Sequence, residues 1–200
     1  MTQKHADLVA KLQKYPVIAG VRSLADIPLA VKNGIEVVFL LNIDINDIMD
    51  SRDVIEENLA RGVLVFPHLD LLKGIAADKS GISFLKNKIG VTGIISTHTN
   101  LLQFAKKEGL ATIQRLFILD SESLGTGLKK VQGCTPDGIE ILPAPVLPFI
   151  IGQIRLQPLP PIIAGGLIRT PEDVKEIIAS GAMAISTSDK TLWVKYSALR

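Results

Sequence analysis

Two groups of residues near the end of the chain have the chemistry of a phosphate site. Gly165-Gly166 ends one short apolar run, and Ser186-Thr187-Ser188 ends the next one. Glycines let a backbone approach an anion closely and present its N–H groups, and hydroxyl side chains supply further donors. The alternative interpretation is that the glycines only relieve crowding and the hydroxyls are ordinary polar strand ends. Because the two groups end successive strands, we favour anion binding.

A histidine and an aspartate follow an earlier apolar run and suit the rest of a small polar ligand. Residues two apart on a strand point to the same side, so we expect His68 and Asp70 to lie side by side near a strand end. They are candidates to hydrogen-bond a hydroxylated ligand or to act as an acid–base pair. The alternative is a buried histidine whose tautomer is fixed by the carboxylate.

Glu140 lies between two isoleucines in a run that is otherwise apolar. Burying an unpaired carboxylate is costly, so we expect Glu140 to face either a cation or a ligand hydroxyl. Arg115 and Arg22, near the ends of two other runs, are the candidate cations. A structural ion pair and direct contact with a ligand are both open at this stage.

The elements that must position these residues alternate along the chain. Eight short runs rich in Val and Ile are typical of strands buried on both faces, and they cover 17–22, 36–43, 63–70, 93–98, 111–120, 138–144, 161–168 and 182–188. Helical spacing covers 25–32, 45–61, 82–89, 100–108, 121–131, 145–155 and 171–180. Such alternation forms a closed barrel or a doubly wound open sheet. The count of eight and the short connections predict a compact (β/α)8 TIM barrel, one α/β domain over residues 1–200, with its ligand site at the C-terminal strand ends.

Composition narrows the class of protein. The net charge of +2 neither requires nor excludes a nucleic-acid partner, and one cysteine and three histidines without ligand spacing predict no metal site. No signal-peptide or membrane-spanning run is visible, so we expect a soluble, cytoplasmic protein with no membrane partner. The absence of a lysine at any predicted strand end argues against a Schiff-base aldolase. Lysines pair at positions 86 and 88, 106 and 107, and 129 and 130. With only 4% aromatic residues, we interpret these pairs as solvated helix faces.

Four blocks of sequence resemble one family of bacterial regulators. They are HLDLLKGIAADKSGISFL, GIISTHTNLLQFAKKEGL, ATIQRLFILDSESL and IIAGGLIRTPEDVKEIIASGAMAISTSDKTLW. From about Val17 to Trp193 the chain resembles the glycerol uptake operon antiterminators, which respond to glycerol 3-phosphate. The blocks occur in the family's order, which is far more specific than a lone Gly-Gly pair.

This resemblance implies a compact barrel that senses glycerol 3-phosphate and acts on the leader mRNA of glycerol-utilisation genes. Such a protein prevents premature transcription termination and influences message stability. By analogy, the phosphate would be held by Gly165, Gly166, Ser186, Thr187 and Ser188. The glycerol hydroxyls would be held, directly or through supporting contacts, by Arg22, His68, Asp70, Arg115 and Glu140. Glycerol 3-phosphate is an effector here, no cofactor is implied, and a homo-oligomer such as a dimer is left open.

Two segments depart from the family pattern. Residues 41–53 lack the histidine or glycine that is more usual there, so no role is assigned to Asp44. Residues 142–148 carry an alanine and an extra proline in place of a Pro-Gly turn, and we expect this loop to sit differently. No motif identifies RNA-contacting residues.

We therefore hypothesise a regulator without catalytic residues. One alternative is a TIM-barrel isomerase, lyase or phosphohydrolase that acts on a small triose or sugar phosphate. In that enzyme His68, Asp70 and Glu140 would serve as acid and base beside the same phosphate site. The other alternative is a catalytically inactive barrel that binds a protein partner.

Overall fold

A computed structural model describes residues 3–198 and places eight parallel strands around a nearly closed barrel. The strands are β1 (Val17–Val21), β2 (Val37–Leu40), β3 (Leu64–Pro67), β4 (Gly93–Ser96), β5 (Ala111–Phe117), β6 (Gly138–Leu142), β7 (Ile162–Gly165) and β8 (Ala184–Thr187). They are hydrogen-bonded in the order β3-β2-β1-β8-β7-β6-β5-β4. Between β3 and β4 the pairing is reduced to a bridge from His68 to Ile95 and a 3.1 Å hydrogen bond from the Thr92 N–H to the Val65 carbonyl. The predicted TIM barrel is confirmed, although residues 1–2 and 199–200 of the predicted domain lie outside the described residues.

Helices surround the strands and also close one end of the barrel. They are α1 (Gln3–Lys14), α2 (Ile27–Lys32), α3 (Ile45–Asp50), α4 (Arg52–Ala60), α5 (Lys79–Phe84), α6 (Thr99–Lys107), α7 (Ser121–Cys134), α8 (Leu147–Ile154), α9 (Pro171–Ser180) and α10 (Lys190–Ala198). Short 3-10 turns cover Leu24–Asp26, Leu69–Leu71 and Ala144–Val146, and a π-helical turn covers Leu85–Ile89. Among the described residues, no helix combines the length and the apolar character needed to cross a membrane.

Three details of the predicted elements are wrong. Residues 45–61 form two helices because the backbone of Ser51 leaves the helical conformation between α3 and α4. The predicted strands extend up to three residues too far, since the chain turns out of the sheet soon after each strand end. Helix α1 was not predicted at all.

Because all eight strands run the same way, their C-terminal ends meet at one rim, which we call the mouth, and their N-terminal ends meet at the opposite rim, the floor. Large apolar side chains fill the barrel between the two, and the rings of Phe39 and Phe66 meet edge to face at 6.0 Å. Leu8 and Leu12 of α1 are fully buried in the same cluster. Helix α1 therefore closes the floor, and a ligand must enter at the mouth.

Buried polar contacts fasten α1 to the floor. The Nδ1 atom of His5 lies 3.4 Å from a carboxylate oxygen of Asp137, which immediately precedes β6. The other carboxylate oxygen of Asp137 accepts hydrogen bonds from the backbone N–H and the hydroxyl of Thr112, at 2.9 and 3.0 Å. Because these groups are buried, their mutual pairing removes the cost of leaving them unsatisfied.

The turn between β7 and α9 is built as its sequence predicts. The Thr170 hydroxyl accepts a hydrogen bond from the Asp173 N–H at 3.1 Å, and Pro171 occupies the first turn of α9. The Asp173 carboxylate in turn accepts from the backbone N–H groups of Arg169 and Thr170, which lowers the pKa of this carboxyl. This reciprocal cap fixes the helix start and so restricts the loop that carries Gly166.

Candidate functional site

A cavity of about 520 Å³ opens at the mouth beside β1, β7 and β8. Its lining brings together most of the residues that the sequence singles out. The lining consists of Gly20, Arg22, Leu41, Asn42, Leu71, Arg115, Glu140, Leu142, Gly166, Leu167, Ile168, Ser186, Thr187, Ser188 and Asp189. The volume lies in the usual range of small-molecule sites, and the lining mixes apolar walls with a few convergent polar groups, as such sites do.

The centre of this cavity is a buried carboxylate with two partners. Arg115 donates from Nε to Glu140 Oε2 at 2.6 Å, and the Ser186 hydroxyl donates to Glu140 Oε1 at 2.6 Å. Glu140 is 1% exposed and Arg115 is 7% exposed. The contact follows from the strand register, because Arg115 and Glu140 are directly paired across β5 and β6. Of the two partners expected for Glu140, a cation or a ligand hydroxyl, the structure shows a cation, and it is Arg115 rather than Arg22.

Gly165 makes room for this contact. A Cβ atom at position 165 would lie 2.4 Å from the Ser186 hydroxyl and 2.9 Å from Glu140 Oε1. Any larger residue would push the serine and the carboxylate apart. At Gly165, relief of crowding is therefore a sufficient reason for the glycine.

The next residues form a turn with free backbone donors. Gly166 and Leu167 both have positive φ, at 77° and 60°. Within residues 3–198, no group accepts a hydrogen bond from the backbone N–H of Leu167 or of Ser188, and both residues line the cavity. Two unused N–H groups beside hydroxyls form an arrangement that can hold an anion.

The β8 end of the site is fixed from behind. The Thr187 hydroxyl accepts from the Asp189 N–H at 3.1 Å, and the indole N–H of the buried Trp193 donates to the Thr187 carbonyl at 3.0 Å. These contacts attach the Ser186–Ser188 segment to the first turns of α10. The position of Ser188 is consequently coupled to that of α10.

The predicted pairing of His68 with Asp70 on one strand face is wrong. Strand β3 ends at Pro67, and Asp70 lies in the 3-10 turn Leu69–Leu71. The Asp70 carboxylate accepts from the Ser96 hydroxyl at 2.5 Å and from the Thr97 N–H and hydroxyl at 2.7 and 2.6 Å. Burial raises the pKa of Asp70, but these three hydrogen bonds outweigh it and lower the pKa overall. Asp70 therefore joins the mouth ends of β3 and β4.

The imidazole of His68 is buried without a hydrogen bond. It is 3% exposed, and neither ring nitrogen has a partner among the described residues. Burial and the nearby charge of Arg115 lower the pKa of His68 to about 4 against the opposing effect of Asp70. The imidazole is therefore neutral at physiological pH. It lies outside the cavity lining and stands beside Arg115 rather than in the open site.

Arg22 has a different environment from that of Arg115. It is exposed at the rim of the cavity, and no acidic partner binds it within the described part of the chain. Its charge is therefore available to a ligand. Asp44, to which the sequence assigned no role, caps α3 by accepting from the Asn46 N–H at 2.9 Å.

Sequence patterns did not indicate several of the lining residues. Gly20 lies inside β1, where a Cβ would approach a side-chain carbon of Leu41 to 3.0 Å, and a glycine within a strand is a signal for such close approach. Leu167 and Asp189 gave no signal, because their backbone places them at the site. The segment 142–148 forms the turn Ala144–Val146 and the start of α8, with only Leu142 in the lining.

Comparisons with known proteins identify the family. A family model described as glycerol-3-phosphate responsive antiterminator matches residues 17–193. An uncharacterised protein of Escherichia coli K12, YgcP, is 35% identical over 186 residues, which cover 93% of this chain and 95% of that protein. The glycerol uptake operon antiterminator regulatory protein of Listeria monocytogenes is 33% identical with a TM-score of 0.80, over 90% of this chain and 95% of that one. A related protein of Thermotoga maritima is 32% identical with a TM-score of 0.75, over 88% and 96%.

Solved barrels that are only 13% and 17% identical include enzymes, and that likeness shows the fold alone. The family match, in contrast, spans every residue that lines the mouth cavity. It covers most of the chain and is accompanied by structures above 30% identity with the same architecture. This chain belongs to the glycerol-3-phosphate responsive antiterminator family.

Proposed function

We propose that this protein is a cytoplasmic regulator that binds glycerol 3-phosphate in the mouth cavity. Occupancy of the cavity would control binding of the protein to the leader mRNA of glycerol-utilisation genes and so promote antitermination. The observation that carries the proposal is one cavity with two unlike ends. Free backbone donors and an exposed arginine form one end, and a buried, hydrogen-bonded carboxylate forms the other. Glycerol 3-phosphate has the matching halves, a dianion and a vicinal diol.

At the phosphate end, the donors are the free N–H groups of Leu167 and Ser188 and the Ser188 hydroxyl. Gly166 gives the turn its positive φ, and Arg22 supplies a positive charge. Charge-assisted hydrogen bonds of this kind are about twice as strong as neutral ones. Ser186 and Thr187 have a supporting role, because their hydroxyls already bind Glu140 and the Asp189 N–H.

At the diol end, Glu140 is the acceptor. Each of its carboxylate oxygens uses one lone pair for Arg115 or Ser186 and keeps another for a ligand hydroxyl. Arg115 pairs with the carboxylate and fixes its position, and Gly165 leaves the space for it. On the β3 side, the neutral imidazole of His68 lies beside Arg115. Asp70, on the same side, fixes the end of β4 through its hydrogen bonds to Thr97.

Sensing requires that the ligand favour one conformation over another. The phosphate-binding segment around Ser188 leads directly into α10, and Trp193 anchors the same segment. We infer that phosphate binding orders the β8–α10 loop and the neighbouring β7 loop, and that this change alters RNA affinity.

An enzymatic role has weaker support. Among the described residues, no lysine lines the cavity, which leaves no Schiff-base nucleophile there. Neither His68 nor Asp70 belongs to the cavity lining, so the acid–base group of the enzyme alternative is not assembled there. Burial raises the pKa of the Cys134 thiol to about 11, so this cysteine is not an activated nucleophile. These features suit binding better than proton transfer.

Filter binding to leader RNA with and without glycerol 3-phosphate tests the proposal. We expect the ligand to change the RNA affinity at least fivefold, which corresponds to a coupling of about 1 kcal/mol. Dihydroxyacetone phosphate serves as the control ligand, because it carries a carbonyl at the carbon where glycerol 3-phosphate carries its second hydroxyl. Equal RNA affinity with and without glycerol 3-phosphate would contradict the proposed coupling, and turnover of a triose phosphate that Glu140→Gln abolishes would favour the enzyme.

A further inference from the structure

Five lysines gather on one sector of the floor, on the side of the barrel opposite the ligand cavity. Lys4 in the first turn of α1 donates to the carbonyl of Thr92, just before β4, at 3.4 Å. Lys86 and Lys88 lie in the π-helical turn that leads into β4, and Lys106 and Lys107 end α6 before β5. We call Lys4, Lys86, Lys88, Lys106 and Lys107 the floor lysine cluster.

Contacts with neighbouring elements place three of these lysines, Lys4, Lys86 and Lys106, along the floor. Burial lowers the pKa of Lys4, and the charge of Lys86 lowers it further. Lys86 Nζ lies 3.4 Å from a carboxylate oxygen of Glu108, at the end of α6. Lys106 Nζ donates to the Thr135 carbonyl at the end of α7, at 2.6 Å. A basic surface therefore runs from α1 across α6 to the end of α7.

The fold accounts for only part of this cluster. Helix C-termini favour cations, which explains the placement of Lys106 and Lys107. Lys4 stands in the first turn of α1, where the helix dipole favours an acid, and burial and the nearby charge of Lys86 lower its pKa. Contacts within the fold engage Lys4, Lys86 and Lys106, and Glu108 is the one acid that pairs with the cluster in the described residues. Within residues 3–198, no hydrogen bond or ion pair holds the ammonium groups of Lys88 and Lys107, so these charges remain available to a polyanion.

An exposed aromatic ring lies on the same helix. Phe104 is 37% exposed and precedes Lys107 by three residues, which places the two on one face of α6. Proteins that bind single-stranded nucleic acid combine cations that follow the phosphates with aromatic rings on which bases stack. Phe104 and the lysines together supply both components.

Acidic side chains stand beside basic ones at the mouth. Asp47 and Asp50 line a depression there beside Arg22, and Asp120 and Glu122 line another at the β5 end together with Arg115 and Lys130. The rim therefore offers a polyanion no continuous basic surface of the kind that the floor lysine cluster forms.

We propose that the floor lysine cluster, with Phe104, is the surface that binds single-stranded leader RNA, on the face opposite the effector site. The assignment rests on the proposed function, because it locates the RNA contact of the same regulator. The positive charge and the exposed ring favour RNA over an anionic membrane or an acidic protein surface.

The test compares two triple variants of the full chain. Lys86→Glu/Lys88→Glu/Lys107→Glu reverses the cluster, and Lys32→Glu/Lys79→Glu/Lys175→Glu makes the same change of net charge at exposed positions elsewhere. The probe is a fluorescein-labelled single-stranded RNA about 20 nucleotides long, measured by anisotropy over a range of salt with glycerol 3-phosphate present. Each lost phosphate contact contributes about 0.7 to the slope of log K against log salt. For the cluster variant we therefore expect a slope smaller by about 2 than that of the unmodified protein.

We also expect the cluster variant to lose at least about tenfold in affinity at moderate salt, while the control variant keeps most of it. Both should retain the thermal stabilisation by glycerol 3-phosphate, which shows that barrel and effector site are intact. If Lys86→Glu destabilises the fold because it faces Glu108, the double variant Lys88→Gln/Lys107→Gln replaces the triple variant. Its slope of log K against log salt should be smaller by about 1.4 than that of the unmodified protein. Phe104→Ala should weaken binding about fivefold or more without changing the slope.

The failures are distinguishable. If the unmodified protein binds RNA and the cluster variants bind equally well, the surface is wrong while the proposed function stands. If the control variant loses as much affinity as the cluster variant, only net charge matters and the assignment is also wrong. If the unmodified protein binds no leader RNA but binds phosphatidylglycerol vesicles, both the proposed function and this surface are overturned.

Discussion

Glu140→Gln offers the sharpest test of how the mouth is built. The substitution keeps the shape of the side chain but leaves the guanidinium of Arg115 buried without a counter-charge. Breaking a buried ion pair by neutralising one partner costs about 3 to 5 kcal/mol. For a chain of this size that corresponds to a fall in Tm of roughly 6 to 20 °C. Urea unfolding followed by circular dichroism measures the loss directly.

Two controls separate burial from mere ion pairing. Arg52 and Glu56 form an ion pair at the same 2.6 Å, but both side chains are about half exposed, so Glu56→Gln should cost at most about 0.5 kcal/mol. The double variant Arg115→Gln/Glu140→Gln removes both charges and should be less destabilised than the sum of its single variants, by about 1 to 3 kcal/mol. A loss below about 1 kcal/mol for Glu140→Gln, or strict additivity, would refute this account of the site.

Three further predictions concern other parts of the molecule. Gly165→Ala places a methyl group against Ser186 and Glu140, and calorimetry should show glycerol 3-phosphate binding weakened about tenfold. Retained affinity would show that the space left by the missing Cβ is not needed for binding. In the folded protein the pKa of His68 is about 4, below the ordinary value of 6.5, so the unfolded chain takes up the proton first as the pH falls. The free energy of unfolding should therefore fall between about pH 6.5 and pH 4, by up to roughly 3 kcal/mol. His68→Gln should flatten that part of the pH profile, and an unchanged slope would contradict the assignment. Leu12→Ala should cost about 2 to 5 kcal/mol in urea unfolding because it opens a cavity where α1 closes the floor, whereas a cost below about 1 kcal/mol would mean that α1 does not seal the barrel.

The barrel was predictable because its strands are short, apolar on both faces and separated by helical spacing. The partner of Glu140 was predictable as a type, since a buried carboxylate between isoleucines needs a cation. Its identity was not, because the choice of Arg115 over Arg22 depends on the register of β5 against β6, which no local pattern encodes.

The errors have local physical causes. His68 and Asp70 were placed on one strand because the apolar run continues past Pro67, whereas the chain turns there so that Asp70 reaches Ser96 and Thr97. Helix α1 was overlooked because charged residues occur throughout residues 4–14, on either side of its buried leucines. The spacing of Leu8 and Leu12 is nevertheless that of one helix face. The free donors at Leu167 and Ser188 depend on backbone geometry and were not accessible from residue types.

A thermal-shift panel tests the central claim, that the mouth cavity binds glycerol 3-phosphate through its two unlike ends. At a ligand concentration about 100 times Kd, binding contributes about 2.7 kcal/mol, which should raise Tm by roughly 5 to 10 °C. We expect that shift with glycerol 3-phosphate, little with glycerol or inorganic phosphate, and its loss in Ser188→Asp, which places a carboxylate at the phosphate end. No shift with glycerol 3-phosphate, or an equal shift with inorganic phosphate alone, would contradict the account.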